Sequence, residues 1–164
     1  MNKRYKNILM WSLYALLFLF IVLLQTSLFG RLRFFGVKLS LIPVVLICVS
    51  VMAGHEAGGL FSLICAFIWQ LSGAEDGSVA ILTMTVCSIA AGYICASFSR
   101  RFFPAVALCL GTLLLHEGTV FLFRFYLGEA EGRLGWWVLI TAALSLPAVP
   151  VCYLLAKAIR KVGE

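Results

Sequence analysis

Charge is what this sequence has least of. Asp, Glu, Lys and Arg make up 12% of its 164 residues, against about 25% in a soluble domain. So few charges over this length cannot cover a water-exposed surface, so an ordinary soluble domain is excluded. No stretch leaves room for a sizeable one on either side of a membrane. Histidine is scarcer still, with His55 and His116 alone. No histidine or carboxylate cluster has metal-ligand spacing. None of the six cysteines (Cys48, Cys65, Cys87, Cys95, Cys109, Cys152) forms a C-x-x-C pair, so neither a metal centre nor a cofactor is expected. Each cysteine lies inside an apolar run and reads as a small, polarizable packing residue. No nucleophile stands beside a base in a recognisable pattern, so no catalytic residues are expected and the chain does not read as an enzyme.

What is present in excess is apolar surface. Hydrophobic residues make up 63% of the chain, a composition that suits a bilayer, where lipid-facing positions are as apolar as buried ones. A helix needs about 20 apolar residues to cross the hydrocarbon core. Runs over 8–29, 39–52, 57–72, 78–98, 103–127 and 136–156 predict an all-α integral membrane protein, a single domain of six transmembrane helices. The second and third runs are short, and a re-entrant pair is the alternative for them. The first run is too long for a signal peptide and no small-x-small cleavage site follows it, so a retained helix is expected.

The net charge of +6 does not point to nucleic acid, because the basic residues sit at the ends of apolar runs. With both termini cytoplasmic, the inner segments hold eight Lys and Arg (Lys3, Arg4, Lys6, Arg100, Arg101, Lys157, Arg160, Lys161). The outer segments hold five (Arg31, Arg33, Lys38, Arg124, Arg133). That bias sets the expected orientation in a cytoplasmic membrane. The outer trio Arg31, Arg33 and Lys38 is more basic than the rule requires, and is expected to meet acidic headgroups or an extracytoplasmic partner.

Polar residues inside the runs are the candidate sites. His116 and Glu117 lie about 20 Å along the fifth helix at 1.5 Å per residue. An ionised carboxylate at that depth costs roughly 2.5–3.5 kcal/mol, so such groups face protein or a water-filled cavity. Thr112 and Thr119, at i−4 and i+3 from His116, make its face the more polar one. An inter-helix hydrogen bond, a ligand and a partner contact are all open for this group. Leu113 is expected on the lipid face. Two small-residue ridges, Gly54-x-x-x-Gly58-x-x-x-Ser62 and Ser88-x-x-x-Gly92-x-x-x-Ala96, mark close helix approach, within the chain or to a partner helix. Pro147 and Pro150 predict a kink in the last helix. The carbonyls they displace, at Ala143 and Leu146, are expected to find donors on neighbouring helices.

These marks fall in an order that resembles the rod-shape-determining protein MreD family of bacteria, over most of the chain. Leu24-Gln25-Thr26 closes the first helix, and Phe35-Gly36-Val37 leads into an apolar run near Pro43. Gly58-Gly59 follows, then Leu71-Ser72-Gly73-Ala74-Glu75-Asp76-Gly77, which is similar to the family's Ser-Gly-x-x-x-Gly turn. Pro150, Leu154-Leu155-Ala156-Lys157 and a basic tail close the chain. One departure is Trp69-Gln70, where the family commonly carries an acid. The resemblance implies a scaffold of cell elongation that pairs with the single-span protein MreC. Through it the scaffold would reach RodA and a penicillin-binding transpeptidase of peptidoglycan synthesis. The family's fold is also similar to that of substrate-capture subunits of energy-coupling-factor vitamin transporters. That makes a vitamin-binding subunit the alternative, although the first helix lacks their small-x-x-x-small coupling motif.

Overall fold

Proline positions largely dictate where the helices begin. In the computed structural model, which describes residues 3–29, 40–72, 77–98, 102–128 and 135–163, Pro43, Pro104 and Pro150 each occupy the third residue of a helix. There the missing N–H would have had no intrahelical acceptor anyway. The elements are α1 (Lys3–Leu24), which continues as a π-helical turn (Gln25–Phe29), α2 (Leu41–Ala53), α3 (His55–Leu71), α4 (Gly77–Phe98), α5 (Phe102–Tyr126), α6 (Gly135–Ser145) and α7 (Ala148–Gly163). Among the described residues every element is helical.

Among the described residues, three helices are long and apolar enough to cross a membrane: Arg4–Ser27, Ser78–Ser97 and Pro104–Tyr126. The bent pair Val138–Ser145 and Ala148–Gly163 makes a fourth when taken as one span. Large apolar side chains such as Leu16, Leu82 and Leu122 are more than 60% exposed, which suits lipid and not water. The chain is a multi-pass membrane protein.

The runs expected over 39–52, 57–72, 78–98 and 103–127 match to within two residues, whereas the first helix begins five residues before its expected start, at Lys3, and the last run differs more. His55 and Glu56, whose polarity suggested a linker, open α3. The connection is Gly54 alone, whose φ of 98° is a conformation that a residue with a Cβ rarely adopts. The last run is two helices bent by 47°, and it extends seven residues beyond the expected end, to Gly163.

α2 is the centre of the molecule. Every residue from Leu41 to Met52 is buried, and the helix packs against α1, α3, α4, α5 and α7. A helix apolar on all sides belongs in such a position. At 13 residues it is about 20 Å long, and its ends are therefore met by protein. At the first turn, the backbone N–H of Leu41 donates to Gln25 Oε1 at 3.3 Å, and that of Ser40 to Ser145 Oγ at 3.3 Å. At the last turn, the Arg160 guanidinium donates to the Met52 carbonyl. These contacts supply partners that an isolated helix end lacks. α7 is tied to α1 by the Tyr14 hydroxyl, which donates to the Ala156 carbonyl at 3.2 Å.

Candidate functional site

The interior polar residues gather in three places. The first is the α4–α5 contact. His116 on α5 is 3% exposed, and its Nδ1 lies 2.8 Å from Thr83 Oγ1 on α4. The Thr83 hydroxyl also lies 3.1 Å from the carbonyls of Val79 and Ala80. If its one proton goes to its own helix, the imidazole must donate from Nδ1, and this fixes the tautomer. Either arrangement ties Thr83 down and pins two helices together. It does not free the hydroxyl as a nucleophile.

Of the four residues expected at this site, two share its face. Thr112, one turn before His116, is buried and donates to the Leu108 carbonyl at 2.8 Å. Glu117, about 100° around the helix, is half-buried. Thr119 is a correction: it is exposed, and its hydroxyl donates to Leu115 of its own helix at 2.6 Å. The polar face therefore ends at His116. Leu113 is a second correction, being fully buried where a lipid face was expected. The partner that sequence reasoning missed is Thr83. Its signal was a hydroxyl within an apolar run. Thr85, two residues on, carries the same signal and bonds its own helix, to Ile81 at 2.8 Å.

The second place is the junction of α2, α3 and α4, where the small residues do bring helices together within the chain. A Cβ at Gly58 would lie 2.5 Å from the Ser50 Cα, and one at Gly92 would lie 2.9 Å from the His55 Cα. Ser62 and Ser50 are fully buried, with their hydroxyls 3.5 Å apart. Ser88 is also fully buried, and its hydroxyl has no hydrogen-bond partner among the described residues. Two members of the expected ridges do not belong. Gly54 has nothing within 4 Å of a Cβ position and serves as the turn. Ala96 is exposed, because the face α4 turns inward ends with Cys95. Gly59, absent from the expected ridges, does belong: its Cβ would lie 2.5 Å from Ile89 Cγ1.

The third place is the break between α6 and α7. Pro147 lies in the break and Pro150 in the first turn of α7, as the kink requires. The freed carbonyls are satisfied locally and not by neighbouring helices: Leu146 N–H donates to Ala143 at 3.4 Å, and Val149 N–H to Leu146 at 3.1 Å. Tightening from i+4 to i+3 bonds absorbs the bend. Beside the break, the buried Ser145 hydroxyl donates to the Thr141 carbonyl at 2.8 Å and accepts from Ser40.

All six cysteines are free and buried, and the Cys48 and Cys109 thiols lie 4.0 Å apart. Among the described residues no group of three or more His, Cys, Asp or Glu side chains is placed to hold a metal ion. At the end of α3 the Ser72 hydroxyl donates to the Trp69 carbonyl at 2.6 Å. The rest of the Ser-Gly turn up to Asp76, and the basic trio Arg31, Arg33 and Lys38, lie outside the described residues. Comparison with protein-family models, with curated proteins and with solved structures finds no match to this chain.

Proposed function

We propose that the chain is a non-enzymatic subunit of the bacterial cell-elongation complex, a six-span scaffold in the cytoplasmic membrane with both termini inside. On this reading α2 and α3 are its two short spans, and α6 with α7 forms the broken last one. Its partner is an MreC-like single-span protein, through which it reaches RodA, a penicillin-binding transpeptidase and peptidoglycan synthesis. The ordered sequence marks from Leu24-Gln25-Thr26 to the basic tail are its basis in sequence. The structural observation in its favour is how polar groups are used. Thr83 meets His116, Ser50 meets Ser62, Ser40 meets Ser145, Tyr14 meets Ala156 and Arg160 meets Met52. Each contact joins one element of the bundle to another, as the interior of a scaffold requires.

Gly111 and Gly118 on α5 mark a surface for the single-span partner. They lie seven residues apart, on one face of the helix, and nothing approaches within 4 Å of a Cβ position at either. Small residues on a lipid-facing helix let another backbone come close. In a rod-shaped host, depletion of this protein is expected to round the cells, and re-expression to restore rods. Cells that stay rod-shaped on depletion would overturn the reading.

One observation favours the vitamin-capture alternative: the α6–α7 break stands beside the first turn of α2, and broken helices border substrate sites in transporters. That reading expects an ATPase module among the partners and unchanged cell shape on depletion.

A further inference from the structure

α3 is short for a helix with a lipid-facing side, and its shortfall lies at one end. Two contacts set its register against α4. A Cβ at Gly59 would press on Ile89, and one at Gly92 would press on His55, whose ring packs edge-on against Tyr93 at 5.7 Å. The two helices are therefore antiparallel, and the same register brings Leu71, the last residue of α3, level with Gly77, the first of α4. At the other end they part. α3 begins at His55, whereas α4 runs on from Tyr93 to Phe98, about 7 Å further at 1.5 Å per residue. The contact of Thr83 with His116 carries the register to α5, where Val106 lies level with Tyr93 and the helix starts earlier, at Phe102. The turn between α2 and α3 is thus recessed below the ends of α4 and α5.

The exposed side of α3 marks how far hydrocarbon can reach. Leu60, Leu63, Ile64, Phe67 and Leu71 are 42–72% exposed, and their spacing of three and four residues puts them on one face of the helix. Glu56 continues that face one turn before Leu60, and its side chain is 91% exposed. From Glu56 to Leu71 the helix rises about 22 Å, against a hydrocarbon core of about 30 Å. The span Ser78–Ser97 of α4 fits the full core. A bilayer of that thickness beside α3 would enclose the Glu56 carboxylate in hydrocarbon, which is costly. Tilting α3 would shorten its reach further. Membranes accommodate a short apolar surface by thinning next to it.

We propose that the exposed face of α3 is a lipid-thinning surface. The leaflet on the side of the α2–α3 turn is drawn in beside it to the level of Glu56, and lipids with short acyl chains fit it best. The test places single added cysteines in the full chain, in phosphatidylcholine vesicles with a membrane-impermeant maleimide on both sides. The six native cysteines are buried, and the wild type gives the background. Ala57 on α3 and Ala107 on α5 are both exposed in the fold and lie at one depth by the register above. Ala57→Cys is expected to react at least roughly tenfold faster than Ala107→Cys, because only a hydrated thiol ionises and reacts. Leu60→Cys, one turn deeper, is expected to be as slow as Ala107→Cys. Equal rates at 57 and 107 overturn the proposal. So does Leu60→Cys reacting as fast as Ala57→Cys, which would put a water-filled groove along α3 in place of lipid. A second measurement needs no added cysteine. The wild type and Glu56→Leu are unfolded thermally in vesicles with acyl chains of about 14 or about 22 carbons. Removing the carboxylate lengthens the apolar face, so Glu56→Leu is expected to gain stability relative to the wild type as the chains lengthen. A difference between the two that is the same in both lipids also overturns the proposal.

Discussion

Glycines of one chemistry do opposite things in two regions of this protein. At the α2–α3–α4 junction, Gly58 and Gly92 have no space for a methyl group, because backbone of another helix already occupies it. On α5, Gly111 and Gly118 have nothing within 4 Å. Lipid gives helices no hydrophobic reason to associate, so close approach and inter-helix hydrogen bonds must hold the bundle. The first pair of glycines is used in this way inside the chain. The second pair costs helix propensity, about 1 kcal/mol each relative to alanine, and no contact among the described residues explains it. A helix from another chain would.

The largest expected effect comes from filling the first pair. A Gly58→Ala Cβ would meet Ser50 backbone, which cannot rotate away, so overpacking of about 1–3 kcal/mol or more is expected. Gly92→Ala, against the His55 backbone, should behave similarly. Thermal unfolding in detergent, compared with Gly111→Ala, reads the contrast. Equal melting temperatures for Gly58→Ala and Gly111→Ala would erase the distinction between the two regions.

That distinction shows how far the sequence could be read. Apolar runs locate membrane helices because backbone satisfaction leaves few alternatives in lipid, and the two late prolines marked the break. The one-residue turn at Gly54 was hidden because His55 and Glu56 look like a linker, although a helix end at the membrane surface accepts them equally well. Helix orientation was the weaker part. Leu113, Thr119 and Ala96 were all placed on the wrong face, because hydropathy is the same for lipid and protein neighbours. His116 stood out as an imidazole in an apolar run. Its partner Thr83 did not, because a threonine hydroxyl can satisfy itself on its own helix.

A smaller effect is expected at that contact. Thr83→Val removes the hydroxyl at nearly constant shape, and with it the 2.8 Å contact to His116. The expected loss is roughly 0.6–2 kcal/mol, the range for inter-helix hydrogen bonds in membranes. Thr119→Val, whose hydroxyl bonds only its own helix, should leave the melting temperature unchanged. A Thr119→Val loss as large as that of Thr83→Val would mean that the polar face extends past His116 after all.

The most direct measurement is recovery of the protein from native membranes in mild detergent, with identification of what co-elutes, for the wild type and for Gly111→Leu/Gly118→Leu. The wild type is expected to bring down an MreC-like single-span protein. The double variant is expected to fold with an unchanged or slightly higher melting temperature and to lose that partner. Recovery of an ATPase module with a coupling subunit, or of the single-span protein in equal amount by the variant, would contradict the scaffold or its assigned face respectively.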